Sequence, residues 1–207
     1  MSASDKAARF LRMAVTLPVE EIKDERDETT IPEIAQVAEL RDNNSMQEAI
    51  EYGSAIMMMF PDIDLIPFMI AYMYYQKDFP KRAIEVALEA IPRCKRKFRL
   101  YSVIGLAEFS QGHLPEALVW WARSVVAQCK VVDFQEEDPF LHLAHAATVI
   151  GADEEAKVYF AVADAIAPER RRLTPDEVDR LLPLRQHWSK EPLKQVLRHI
   201  IDTYALA

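Results

Sequence analysis

Two histidines three positions apart, His142 and His145, are the sequence's nearest approach to a metal site. On a helix that spacing places both imidazoles on one face, with Glu136, Glu137 and Asp138 just upstream. No His-Glu-x-x-His pattern accompanies them, so no metal is expected. His145 reads as a groove-lining side chain and His142 as facing solvent or a neighbouring helix. The second candidate is Cys94 in "RCKRKFR", where Arg93, Lys95, Arg96, Lys97 and Arg99 would lower the thiol pKa of an exposed sulfur. The plainer reading is an ordinary thiol at a helix end, and a bond to Cys129 would need Cα atoms within about 7 Å. The same five cations could contact an acidic partner or nucleic acid. They read instead as a solvated turn at a helix C-terminus, because aromatic residues do not interleave them in the way a base-stacking surface does, Phe98 being the one aromatic among them. With four glycines and no Gly-x-Ser-x-Gly, Gly-x-Gly-x-x-Gly or P-loop pattern, the chain has neither a nucleophile elbow nor a phosphate cradle. No catalytic residue and no cofactor is expected, and the protein reads as a non-enzyme.

Something other than chemistry must therefore explain these residues, and the composition says what positions them. Half of the 207 residues are hydrophobic and 28% are charged, enough to bury a core. Glycine scarcity, the absence of Asn-Gly or Asp-Gly hairpin signals and the abundance of Leu, Ala, Met, Glu and Arg make the expected fold class all-α. A net charge of −8 argues against a general nucleic-acid binder. Two cysteines suggest a reducing compartment, and "SASDKAARFLRMAVTLP" lacks the apolar run of a signal peptide, so the expectation is cytoplasmic. The most apolar stretch, "SAIMMMFPDIDLIPFMIAYMYYQ", is broken by Pro61 between Phe60 and two aspartates. It reads as two buried helices meeting at a turn, with Asp62 or Asp64 capping the second, and not as a membrane span.

The helices repeat. Aligning "NNSMQEAIEYGSAI", "KDFPKRAIEVALEAI", "GHLPEALVWWARSV" and "GADEEAKVYFAVADAI" brings Ala49, Ala83, Ala117 and Ala156 into register, at steps of 34, 34 and 39 residues. The loop "KVVDFQEED" accounts for the longer step, and "DFQEED" is a candidate contact loop. Twelve residues before each alanine stand Val37, Ala71, Gly105 and Ala144. Two antiparallel helices approach to about 8–10 Å only where the crossing side chains are small. A 34-residue, two-helix period with small crossing residues resembles the tetratricopeptide repeat family over residues 31–169. The units 65–95 (Ala71, Tyr74, Ala83, Ala87, Ala90) and 138–168 (Ala144, Ala156, Phe160, Ala163, Pro168) carry most of the motif. The resemblance implies a right-handed α-solenoid of about four such hairpins. An N-terminal helix and charged linker (1–30) precede it, and capping helices (170–207) follow. The linker "LPVEEIKDERDETTIP" reads as an exposed connection.

First helices of such repeats line the concave face. In this register that face carries Leu65, Phe68, Tyr72 and Tyr75, then Arg99, Ser102, Leu106 and Phe109, then Asp138, Leu141, His145 and Thr148. Met57, Met59, Met69 and Met73 read as core. An apolar concave surface rimmed by charge marks a protein–protein site, and tyrosine suits it. The expected partner is a peptide or helix of another protein, anchored by Phe68, Tyr72, Tyr75, Leu106 and Phe109 and oriented by Arg99 and His145. Phe68 and Tyr72 stand where the carboxylate-clamp members of the family use Lys and Asn. The groove is more similar to that of tetratricopeptide secretion chaperones, which the last unit resembles. The other expectation is a structural or accessory subunit, assembling through its outer surface, its ends and the basic 93–99 patch.

Overall fold

The computed structural model describes residues 31–129, 138–149 and 151–167. The N-terminal helix, the linker, most of the loop at 130–137 and the C-terminal segment lie outside the described residues. Eight helices and no strand are present among the described residues. They are α1 (Pro32–Asp42), α2 (Met46–Ile56), α3 (Leu65–Gln76), α4 (Pro80–Ala90), α5 (Phe98–Ser110), α6 (Leu114–Cys129), α7 (Asp138–Val149) and α8 (Asp153–Ile166). α1 and α4 begin at a proline, whose missing N–H is one that a helix start leaves unbonded in any case.

The helices fold back on one another in pairs: α1 on α2, α3 on α4, α5 on α6 and α7 on α8. All four hairpin turns close in one way. Asn44, Asp78, Gly112 and Gly151 take a positive φ, between 61° and 82°. The next residue's N–H then donates to the carbonyl five positions back: Ser45 to Leu40, Phe79 to Tyr74, His113 to Glu108 and Ala152 to Ala147, at 2.8–3.0 Å. This left-handed closure satisfies helix-end carbonyls and reverses the chain in three residues. Each turn stands five residues before one of the aligned alanines, so the four turns keep the steps of 34, 34 and 39.

The packing explains the small residues. Ala49, Ala83, Ala117, Val37, Ala71 and Ala144 are fully buried, Gly105 is buried and Ala156 nearly so. Around them the core runs as three joined clusters, over α1–α3, α3–α5 and α5–α8. First helices also touch their successors, α1 with α3, α3 with α5 and α5 with α7.

Two expectations at the apolar stretch need correction. Met69 and Met73 are core, but Met59 is 65% exposed, beside Met58 at 74%. The reason is that α2 ends at Ile56, so residues 57–59 form a turn and present no helix face to the interior. Pro61 does separate the two helices. Asp64, however, precedes α3 without a side-chain capping bond. It is completely buried, with Arg99 3.6 Å away. Among the described residues no helix is long and apolar enough to cross a membrane.

Candidate functional site

α3 is apolar nearly all round, so it has side chains to bury on more than one side. Ile66, Met69, Ile70, Ala71 and Met73 go into the core. At the i, i+4 and i+7 positions, Phe68, Tyr72 and Tyr75 share another face, and all three remain half-buried. Their rings form a ladder, Phe68 stacked on Tyr72 and Tyr72 tilted on Tyr75, each with centroids 5.9 Å apart. The ladder packs on the fully buried α3–α5 cluster, and Phe68 also on the α1–α3 cluster, so its rings are held in place while each residue stays partly accessible. Burial, and then the neighbouring Tyr72, push the Tyr75 phenol above its ordinary value. It therefore remains a neutral hydroxyl, able to donate to a carbonyl. Leu65 is half-buried against the α1–α3 cluster, on the same helix.

The remaining positions divide. Leu106 and Phe109 on α5 are half-buried against the α5–α8 cluster. Phe109 tilts over Trp121 of α6 with ring centroids 5.5 Å apart, and His142 of α7 lies on the same indole at 5.4 Å. Trp121 is thus wedged among three helices, and its Nε1–H donates to the Ser102 carbonyl at 3.2 Å. Gly105 makes room for it: a Cβ at Gly105 would overlap Nε1 and Cδ1 of the indole and stand 2.8 Å from Cε2. His145 meets Phe160 edge-on at 5.6 Å. Leu141 is only 7% exposed and belongs to the core, where a partner would not touch it.

His142 is half-buried and lies against Trp121 of the neighbouring helix. Burial first, and then His145 beside it, push its imidazole down to about 3 from an ordinary 6.5. It is neutral in the fold at neutral pH, while the unfolded chain takes up a proton near 6.5. Its contribution is complete above that pH and is lost as pH falls from there toward 3, by up to about 1.4 kcal/mol per unit. Wild-type stability should drop by about 2 kcal/mol between pH 6.5 and pH 5 from this group alone. In His142→Phe, which keeps a ring on Trp121, urea unfolding at the two pH values should lack that drop.

Among the described residues no three His, Cys, Asp or Glu side chains gather as a metal cluster. Cys94 is buried, with Sγ 3.9 Å from the Pro61 carbonyl, and the Cys129 side chain lies outside the described residues. The basic run is largely engaged within the chain. Lys95 pairs with Asp62 at 3.1 Å, Arg99 faces Asp64 at 3.6 Å and also lies over the Phe98 ring, and Arg93 reaches Glu89 at 3.6 Å. Sequence reading missed the two aspartate pairings, although the spacing held the signal. The Cys94–Pro61 contact spans 33 residues, close to one repeat, so the turn after α4 sits on the turn after α2. No family model matches the chain, and no curated protein matches it.

Proposed function

We propose that the chain is a non-catalytic, cytoplasmic interaction module: an α-solenoid of four tetratricopeptide-like hairpins holding a peptide or helix of another protein. The observation that carries this reading is the Phe68–Tyr72–Tyr75 ladder, packed on the core yet only half-buried. Rigid aromatic side chains give a partner large contact area for little lost rotamer freedom. Support for stacked repeats comes from the four alike turns at the steps of the aligned alanines, and from contacts between successive first helices. Leu65, Leu106 and Phe109 extend the apolar surface, and His145 borders it. Arg99 reaches it only as far as its engagement with buried Asp64 allows.

The test separates binding from folding. Tyr72→Ala should abolish capture of a partner from native cell extract while lowering stability by about 1 kcal/mol or less. Ala117→Leu, at a fully buried crossing, should cost about 3 kcal/mol by overpacking. Equal thermal destabilisation by both would sink the groove assignment. A second reading, a structural subunit that assembles through its outer surface, is favoured by the exposure of Leu88 and Val119 on second helices and of Phe79 in the turn before α4. In that case Tyr72→Ala would leave capture intact and Leu88→Glu would remove it.

A further inference from the structure

The Phe68–Tyr72–Tyr75 ladder restricts the chemistry of what it can hold. α3 has no charged residue from Leu65 to Gln76. The cation of the groove register, Arg99 on α5, faces buried Asp64 at 3.6 Å and lies over the Phe98 ring. A charged side chain brought onto the ladder would give up water and gain no counterion there, so an acidic or basic peptide does not match this face. An uncharged segment does. The backbone of α3 is already spent, because its N–H and carbonyl groups bond within the helix. No strand is present among the described residues, so a partner strand finds no edge to extend. What the ladder offers is three rings and the phenol hydroxyls of Tyr72 and Tyr75, each able to donate to a carbonyl.

Those groups discriminate between the forms a partner segment takes. In a helix the carbonyls are bonded to the helix's own N–H groups. In polyproline II they are free, because that form has no internal hydrogen bonds. Proline also has no N–H to strand when water is expelled. The dimensions agree. At about 1.5 Å per residue, Phe68 and Tyr75 stand roughly 10.5 Å apart along α3. The rings cover that length in two steps of 5.9 Å. One polyproline II turn is three residues at about 3.1 Å each, roughly 9.3 Å. We propose that the ladder's ligand is an uncharged, proline-rich segment of another protein in the polyproline II form, which rests on the ladder being the binding surface. Two prolines three positions apart lie on the rings of Phe68 and Tyr75, and the phenol hydroxyls donate to carbonyls between them. The extended helix is preformed, so little chain freedom is lost on docking.

Fluorescence anisotropy of fluorescein-labelled decaproline, titrated with the full-length protein, tests this. A labelled helical peptide of Ala, Leu and Gln, about 20 residues long, is the competing form. Wild type should bind decaproline saturably and about tenfold or more tighter than the helical peptide. Tyr72→Phe/Tyr75→Phe, which keeps the rings and removes both donors, should weaken decaproline binding about tenfold. Raising NaCl to about 0.5 M should change the affinity less than about twofold, since no ion pair forms. Far-UV circular dichroism checks the variant's fold, and should it fail to fold, the wild-type preference between the two peptides still decides. Tighter binding of the helical peptide, no saturable decaproline binding, or equal decaproline binding by wild type and folded variant would overturn the proposal. Native-partner capture that Tyr72→Ala still abolishes would then leave the groove with a different ligand. Capture that survives Tyr72→Ala would remove the groove as well.

Discussion

Gly105→Ala should lower the melting temperature by about 10 °C, a large effect for one added methyl group. The methyl would run into the Trp121 indole, which cannot swing aside. Phe109 and His142 cover the ring, and Nε1 is bonded to the Ser102 carbonyl. Overpacking at such a site costs about 3 kcal/mol, and at this chain length each kcal/mol is worth roughly 2–4 °C. The sharper test is a change of sign. Trp121→Ala alone should cost about 4 kcal/mol through the cavity it leaves. In that background Gly105→Ala should become neutral or stabilise by up to about 1 kcal/mol, since alanine is the better helix former. A double-mutant cycle in urea measures both values. Equal costs in the two backgrounds would show that the indole is not what demands glycine.

Arg99→Ala is the second large effect, and it bears on the groove. Asp64 is wholly buried, and Arg99, itself 18% exposed, brings a cation within 3.6 Å of it. Removing one partner of such a pair costs about 3–5 kcal/mol, because the remaining charge stays buried without its counterion. Asp64→Asn/Arg99→Met should recover much of that loss. Chemical denaturation of the wild type and the two variants checks the pattern. A loss below about 1 kcal/mol for Arg99→Ala would return Arg99 to the groove as a partner-orienting cation.

These two sites also mark how far the sequence could be read. The helical class followed from composition, and the spacing of the small residues followed from close helix approach, which only small side chains permit. The turns were less legible. Two of the four left-handed positions are glycine, but the others are Asn44 and Asp78, whose side chains tolerate that conformation without advertising it. Aligned at the 34-residue step, Asn44, Asp78 and Gly112 would have disclosed the shared closure. Trp121 was passed over because its importance lies in a pairing with Gly105 across a hairpin. In the sequence Asp62 and Asp64 both read as candidate helix caps, because a local role is what a position before α3 suggests, and Asp64 makes no such bond. Its actual neighbour comes from the next hairpin. Met59 was misplaced because extending α2 by three residues turns an exposed tip into a core face. In the candidate site, residue types and face were readable for Phe68, Tyr72 and Tyr75, which lie on one helix. Leu141 and Arg99 were not, since their burial and pairing depend on neighbouring helices.

The most direct test of the central claim places a benzoyl-phenylalanine photocrosslinker at Tyr75, on the ladder, and separately at exposed Leu88 on α4, in cells that make the protein. Irradiation should give an adduct with another protein from position 75 and none from position 88. An adduct from position 88 alone would contradict the groove and make the outer surface the site of assembly.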